Sequence, residues 1–166
     1  MTAWFILKIL HVFAAVSWLG GAMTIIFFLA PSVAATAPAG GAVMAHLNAK
    51  MKLPMYIANA AWITTLSGLA LFYHIARGNE AYLGTMPGIA LSLGALFGIV
   101  AFILAVFVQV PRGRKIGMLS AEAGGSPSAE QAAVISAEQR KFKIGGHIAV
   151  TCGLLSLLGM LMSHPI

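Results

Sequence analysis

Five histidines are the residues of this 166-residue chain that could do chemistry within apolar surroundings. An imidazole at membrane depth needs a partner, which can be a metal ion, a haem iron, a proton or a hydrogen bond. The acidic residues all lie in predicted loops, so the sequence indicates no paired intramembrane carboxylates for a proton relay and leaves the catalytic residues unknown. The histidines are His11, His46, His74, His147 and His164, and they lie near the ends of long apolar stretches.

Four apolar stretches are long enough to cross a membrane. Only 8% of residues are charged, 60% are apolar and the mean hydropathy is +0.92, which is far from the composition of soluble proteins. A span needs about 20 apolar residues, and in lipid it must be helical. We therefore predict an all-α integral membrane four-helix bundle that forms a single domain over residues 1–166. Its apolar runs are Ile9 to Leu29, Pro54 to Ile75, Pro87 to Val110 and Ile144 to Met162, giving spans at about 5–30, 52–76, 86–110 and 143–163.

Positive charge is concentrated on one side of the predicted bundle. The side that holds the start of span one carries only Lys8 and Arg77 as cations. Because cationic loops stay in the cytoplasm, both termini are predicted to face outward, towards the periplasm of a bacterial inner membrane. The net charge of +6 does not indicate a nucleic-acid partner, since the excess of cations on the cytoplasmic side and attraction to anionic lipid explain it. The cations of the opposite side are Lys50, Lys52, Arg112, Arg114, Lys115, Arg140, Lys141 and Lys143.

The connections between spans are predicted to be simple. Residues Ala30 to Ala42 are rich in Ala, Pro and Gly and are typical of a flexible loop. The amphipathic stretch from Val43 to Lys52 predicts a cytoplasmic extension of helix two. Pro111 to Arg140 is predicted as the longest loop, with a surface helix that starts at Ala129 and is capped by Ser128 and Gln131.

The outer histidines favour a haem site. His11 is predicted just inside the outer end of helix one, and His74 at the outer end of the antiparallel helix two, so their depths should match. A b-type haem held by two imidazoles needs this arrangement, with small and aromatic neighbours such as Trp18, which shares a stripe with His11. His46 and His147 on the inner side could hold a second haem. Close packing or ordinary hydrogen bonds would explain the same residues without any cofactor.

Two other functions fit the same residues. Copper could bind at the outer face through His11, His74 and His164, because imidazole suits copper and methionine thioethers lie nearby. Alternatively, the chain is a cofactor-free subunit or assembly partner of a larger membrane complex. Since Cys152 is the single cysteine, the sequence argues against covalent haem attachment and against thiolate zinc sites.

A family resemblance is carried by helix one. Leu7 to His11, followed by Trp18 to Gly21, reads L-K-x-L-H-x6-W-x-G-G. This pattern resembles the first helix of the membrane superfamily that contains the copper-resistance D domain and the J-type protoporphyrinogen oxidase. Helix two is similar over Thr65 to Leu69. The oxidase resemblance implies a b-type haem with His11 as a ligand, and the copper-resistance resemblance implies copper uptake or periplasmic copper handling centred on His11.

The leading hypothesis is a small b-type haem protein of the membrane that carries out electron transfer or quinone-linked redox chemistry. An oxidoreductase activity is compatible with it, and a quinone or a redox protein would be the partner. The sequence leaves open whether the chain forms a homo-oligomer or joins a larger complex.

Overall fold

The computed structural model describes residues 3–36, 39–77, 79–123 and 127–163, and these are almost entirely helical. By length and composition, α1, α3, α5 and α6 are each able to cross a membrane. The predicted all-α architecture with four spans is therefore confirmed. The helices are α1 (Ala3–Ala35), α2 (Ala39–Ala49), α3 (Leu53–Ala76), α4 (Glu80–Leu83), α5 (Met86–Glu122) and α6 (Ala129–Met162).

The long helices pack as two pairs. Helix α1 lies mainly against α3, and α5 lies mainly against α6. The pairs meet in a small core in which Trp18 and Phe102 surround alanines of α3 and α5. Many large apolar side chains point outward instead, including Phe13 at 72% exposure, as expected for helices that face lipid. His11 lies in the contact between α1 and α3.

Glycines let α5 and α6 approach closely. A Cβ atom at Gly159 would lie 2.6 Å from the carbonyl oxygen of Ala90, and one at Gly94 would lie 3.0 Å from that of Ser156. A Cβ atom at Gly98 would lie 2.9 Å from the Ser156 hydroxyl. Small residues at such seams allow helix backbones to contact each other in lipid. Close packing therefore explains the small residues on this face of α5.

Two prolines lie inside helices at places where the sequence predicted loops. Helix α1 continues to Ala35, and α5 continues to Glu122, so the predicted loops at 30–42 and 111–140 are wrong for much of their length. Pro31 and Pro111 each follow a six-residue π-helical segment, Thr24–Leu29 and Leu104–Gln109. A π-helical turn widens the backbone locally, so it absorbs a proline that would otherwise break the helix.

Helices α5 and α6 are both longer than the hydrocarbon core of a bilayer is thick. Helix α5 has 37 residues and α6 has 34, so each exceeds a hydrocarbon core of about 30 Å. Glu138 joins the two helices through Lys115 at 3.0 Å and Lys141 at 3.3 Å. The predicted capping box at the start of α6 is confirmed, because Ser128 and Gln131 bond each other's backbone N–H.

Helix α2 is separate from α3, so the predicted extension of helix two over Val43 to Lys52 is wrong. The helix ends at Ala49, and Lys52 has a φ of 52°, in the left-handed region. A non-glycine residue in this conformation interrupts a right-handed helix. Lys52 thus forms the corner between α2 and α3.

We expect Gly159→Ala to lower the stability of the protein in detergent by about 1–3 kcal/mol, because the added methyl group clashes with the α5 backbone. Gly20→Ala is the matched control, since a Cβ atom there meets nothing within 4 Å. Thermal unfolding followed by circular dichroism measures both. Equal unfolding midpoints for the two variants would contradict the close α5–α6 seam.

Candidate functional site

His11 lies between α1 and α3, with its ring against the middle of α3. Its Nδ1 atom is 2.8 Å from the carbonyl oxygen of Thr64 and 3.2 Å from the hydroxyl oxygen of Ser67. Gly68 makes room for the ring, since a Cβ atom there would lie 2.7 Å from the His11 Cε1 atom. Residues 64–68 of α3, little more than one helical turn, therefore form the contact surface of this imidazole.

These contacts define the tautomer of the His11 ring. A carbonyl oxygen can only accept, so Nδ1 carries the hydrogen and donates it to Thr64. The Ser67 hydroxyl donates to the carbonyl oxygen of Ile63 and so faces Nδ1 as an acceptor. The lone pair of the neutral ring is then on Nε2. Among the described residues Nε2 makes no hydrogen bond.

His11 lies deeper than the sequence predicted. Helix α3 has 24 residues and is about 36 Å long, and Thr64 and Ser67 lie near its centre. Helix α1 begins at Ala3 rather than at the first residue of the apolar run, which adds more than one turn outside that run. The ring therefore lies near the middle of α3 and not at the level where α1 begins.

His74 does not lie beside His11. Its ring stacks on Trp4, with the two ring centroids 3.6 Å apart and an angle of 13° between the planes. Ser67 and His74 are seven residues apart on α3, which is roughly 10 Å of helix rise. The prediction that His11 and His74 lie at matching depth is therefore wrong, and the structure pairs each with a different group.

The other predicted site residues are also placed separately. Trp18 lies in the core cluster with Phe102. His147 has its Nδ1 atom 2.7 Å from the carbonyl oxygen of Lys143 and meets Phe27 edge to face. His46 is exposed on α2, and no described contact joins it to His147.

His164 lies outside the described residues, so the predicted outer set of three histidines is not described as a whole. Within 3–36, 39–77, 79–123 and 127–163, no three His, Cys, Asp or Glu side chains gather where they could hold a metal ion.

The sequence reasoning missed the partners of His11. Thr64 and Ser67 are not among the site residues that the sequence predicts. The seven-residue spacing from Trp4 to His11 matches the spacing from Ser67 to His74, so one antiparallel register joins both pairs. This equal spacing was a signal that could have identified the pairing.

No protein-family model, curated protein or solved structure matches the chain. The function is therefore inferred from the geometry of the chain's own residues.

We expect Gly68→Ala to displace the His11 ring, because the new methyl group would occupy the position of its Cε1 atom. Nitrogen-15 NMR of histidine-labelled protein distinguishes the two neutral tautomers, and His11→Gln assigns the His11 signals. The wild type should show His11 protonated at Nδ1, and Gly68→Ala should shift or broaden those signals. Gly20→Ala is the control, and identical spectra for both alanine variants would contradict the contact.

Proposed function

We propose that this chain is a multi-pass protein of the bacterial inner membrane that binds a b-type haem through His11 and serves in electron transfer. The observation that carries this proposal is the hydrogen bond from Nδ1 of His11 to the Thr64 carbonyl oxygen, at 2.8 Å. It leaves the Nε2 lone pair available at membrane depth. An intramembrane imidazole with a free ring nitrogen is best explained by a ligand.

The surroundings of His11 suit an iron ligand. Histidines that bind metals through one nitrogen commonly donate the other N–H to a backbone carbonyl, which orients the ring and raises its basicity. Thr64 provides that carbonyl, and the Ser67 hydroxyl restricts rotation of the ring. A bound haem would supply reversible one-electron chemistry. The residues of this chain would hold the iron and keep it away from water.

The geometry supports His11 as an iron ligand but does not support His74 as the opposite one. The His74 ring is stacked on Trp4, and it lies about two turns of α3 away from Ser67. We therefore propose one haem, whose iron His11 would hold. No described contact favours a second haem between His46 and His147.

Copper handling and a cofactor-free role are the alternatives. A copper site needs several donor atoms close together, and in the described part of the chain His11 and His74 have separate partners. A cofactor-free subunit would use His11 only to join α1 to α3. The extensive exposed apolar surface is compatible with lipid and with other subunits alike.

We also propose that the loop between α1 and α3 and the α5–α6 hairpin face the cytoplasm. Lys50 and Lys52, which follow α2, lie on this side together with the cations of α5 and of the first half of α6, while Lys8 and Arg77 lie on the other side. Cationic segments near membrane spans remain in the cytoplasm, so the start of α1 and the end of α6 would face outward.

The haem proposal predicts a sharp reduced-minus-oxidised visible spectrum of b type from the detergent-purified protein. His11→Ala should lose nearly all haem, because the iron loses its ligand, whereas His74→Ala should retain it. A pyridine haemochrome assay gives the stoichiometry, which should be one haem per chain. Ser67→Ala should weaken haem binding by roughly tenfold, as expected for a group that orients a ligand.

Circular dichroism and gel filtration show whether each of these variants is folded. If the purified wild-type protein contained no haem, the proposal would be wrong. Metal analysis of the same sample would then test for copper. Haem retained at full stoichiometry by a folded His11→Ala variant would show that another residue holds the iron.

The orientation proposal is tested by cysteine labelling in a Cys152→Ser background. Glu80 and Glu130 are both exposed, and they lie on opposite sides of the spans. A membrane-impermeant maleimide applied to intact spheroplasts should label Glu80→Cys. It should label Glu130→Cys only after the membrane is permeabilised, and the reverse pattern would show inverted orientation.

A further inference from the structure

An open groove runs between α1 and α3 on the side that faces lipid. It encloses about 280 Å³. Ala14 and Ala60 are buried and form part of its lining. Phe13 and Tyr56 are both exposed and lie at its edges. The groove thus combines small residues between the helices with aromatic rings from each of them.

Three polar side chains line the same groove. These are Ser17, Tyr56 and Asn59, and none of them makes a hydrogen bond with another described residue. Other hydroxyls of the spans behave differently, since Thr64 donates to the carbonyl of Ala60 and Ser92 to that of Gly88. On a membrane helix, a serine or threonine hydroxyl commonly donates its hydrogen bond to a backbone carbonyl of the preceding turn.

Asn59 lies within the hydrocarbon region. Helix α3 is about 36 Å long and the hydrocarbon core is about 30 Å thick, so about two residues at each end lie outside it. Asn59 is six residues after Leu53 and is therefore roughly 6 Å inside. An exposed amide at this depth has no water to bond, and lipid tails offer no partner.

The chemistry of the groove defines its occupant. None of the described residues that line it is charged, so an ionic headgroup would find no countercharge among them. An amide, a phenol and a hydroxyl instead suit neutral oxygen atoms, as both donors and acceptors. Aromatic side chains at the edges and alanines between them favour a flat ring. Because the groove opens towards lipid, the ligand must enter from the membrane.

We propose that this groove binds a lipid-dissolved quinone or quinol, with its ring oxygens at Asn59 and Ser17 and its tail in the bilayer. The proposal concerns binding alone, and it stands whether or not His11 holds a haem. The groove would place the ring near the α1–α3 seam, because Leu10 and Ile63 line it next to His11 and Thr64 in the sequence.

The test uses the full chain in nanodiscs of synthetic phosphatidylcholine, titrated with ubiquinone-1 while tryptophan fluorescence is followed. Saturable quenching is expected. Asn59→Leu should weaken the apparent affinity about tenfold, since the ligand loses a hydrogen bond. Ser17→Phe should abolish saturation by filling the groove. Asn79→Leu is the matched control, because Asn79 is an exposed asparagine of the outer connection, and it should bind as the wild type does.

Any one of four results would overturn the proposal. Quenching that never saturates, or that is the same in Asn59→Leu and Asn79→Leu, would show that the groove does not hold the quinone. Equal competition by dioleoylglycerol would show that any neutral lipid oxygen is accepted. If chemical crosslinking gave dimers of the wild type but not of Asn59→Leu, a second copy of the chain would be shown to cover the amide. Variants are compared only where circular dichroism shows wild-type helix content.

Discussion

The hydrogen bond from the His11 ring to the Thr64 carbonyl is the contact around which the α1–α3 seam is arranged. Hydrocarbon offers no alternative partner for an imidazole N–H, so the ring must face the other helix at a carbonyl that can accept. That demand fixes the antiparallel register, which brings Trp4 to His74 two turns further out. It also requires Gly68, since any larger residue would occupy the space of the ring.

The need of a polar side chain for a backbone partner also acts where α5 meets α6. Gln109 ends a π-helical segment and donates to the carbonyl oxygen of Phe142 at 2.6 Å. Its side chain is buried, and Gly145 and Gly146 leave the space that it fills. In each helix pair, a polar side chain thus bonds the backbone of the partner helix at a place where glycine leaves room for it. Apolar packing alone would leave the relative position of the helices poorly defined, because lipid tails are as apolar as the side chains.

Composition predicts the four spans because their hydropathy is a property of each segment alone. The ends of the spans could not be predicted in the same way. Pro31 and Pro111 favour helix termination by local chemistry, yet each follows a π-helical segment that lets the helix continue. The depth of His11 is hard to predict for a related reason, because the nearby Lys8 favours a position close to the interface. A lysine within the first turns of α1 can extend its ammonium group outward while its backbone lies deeper.

A structural role alone accounts poorly for a histidine at position 11. Hydrogen bonds between membrane helices contribute on average only about 0.6 kcal/mol to stability. That is small beside the cost of placing a polar ring in hydrocarbon with one of its nitrogens unpaired. A leucine at this position would pack against Gly68 and leave no polar atom unsatisfied. The proposed ligand would give Nε2 the partner that the described residues do not provide. Thr64 and Ser67 hold the ring so that this nitrogen, rather than Nδ1, is the one available to bind it.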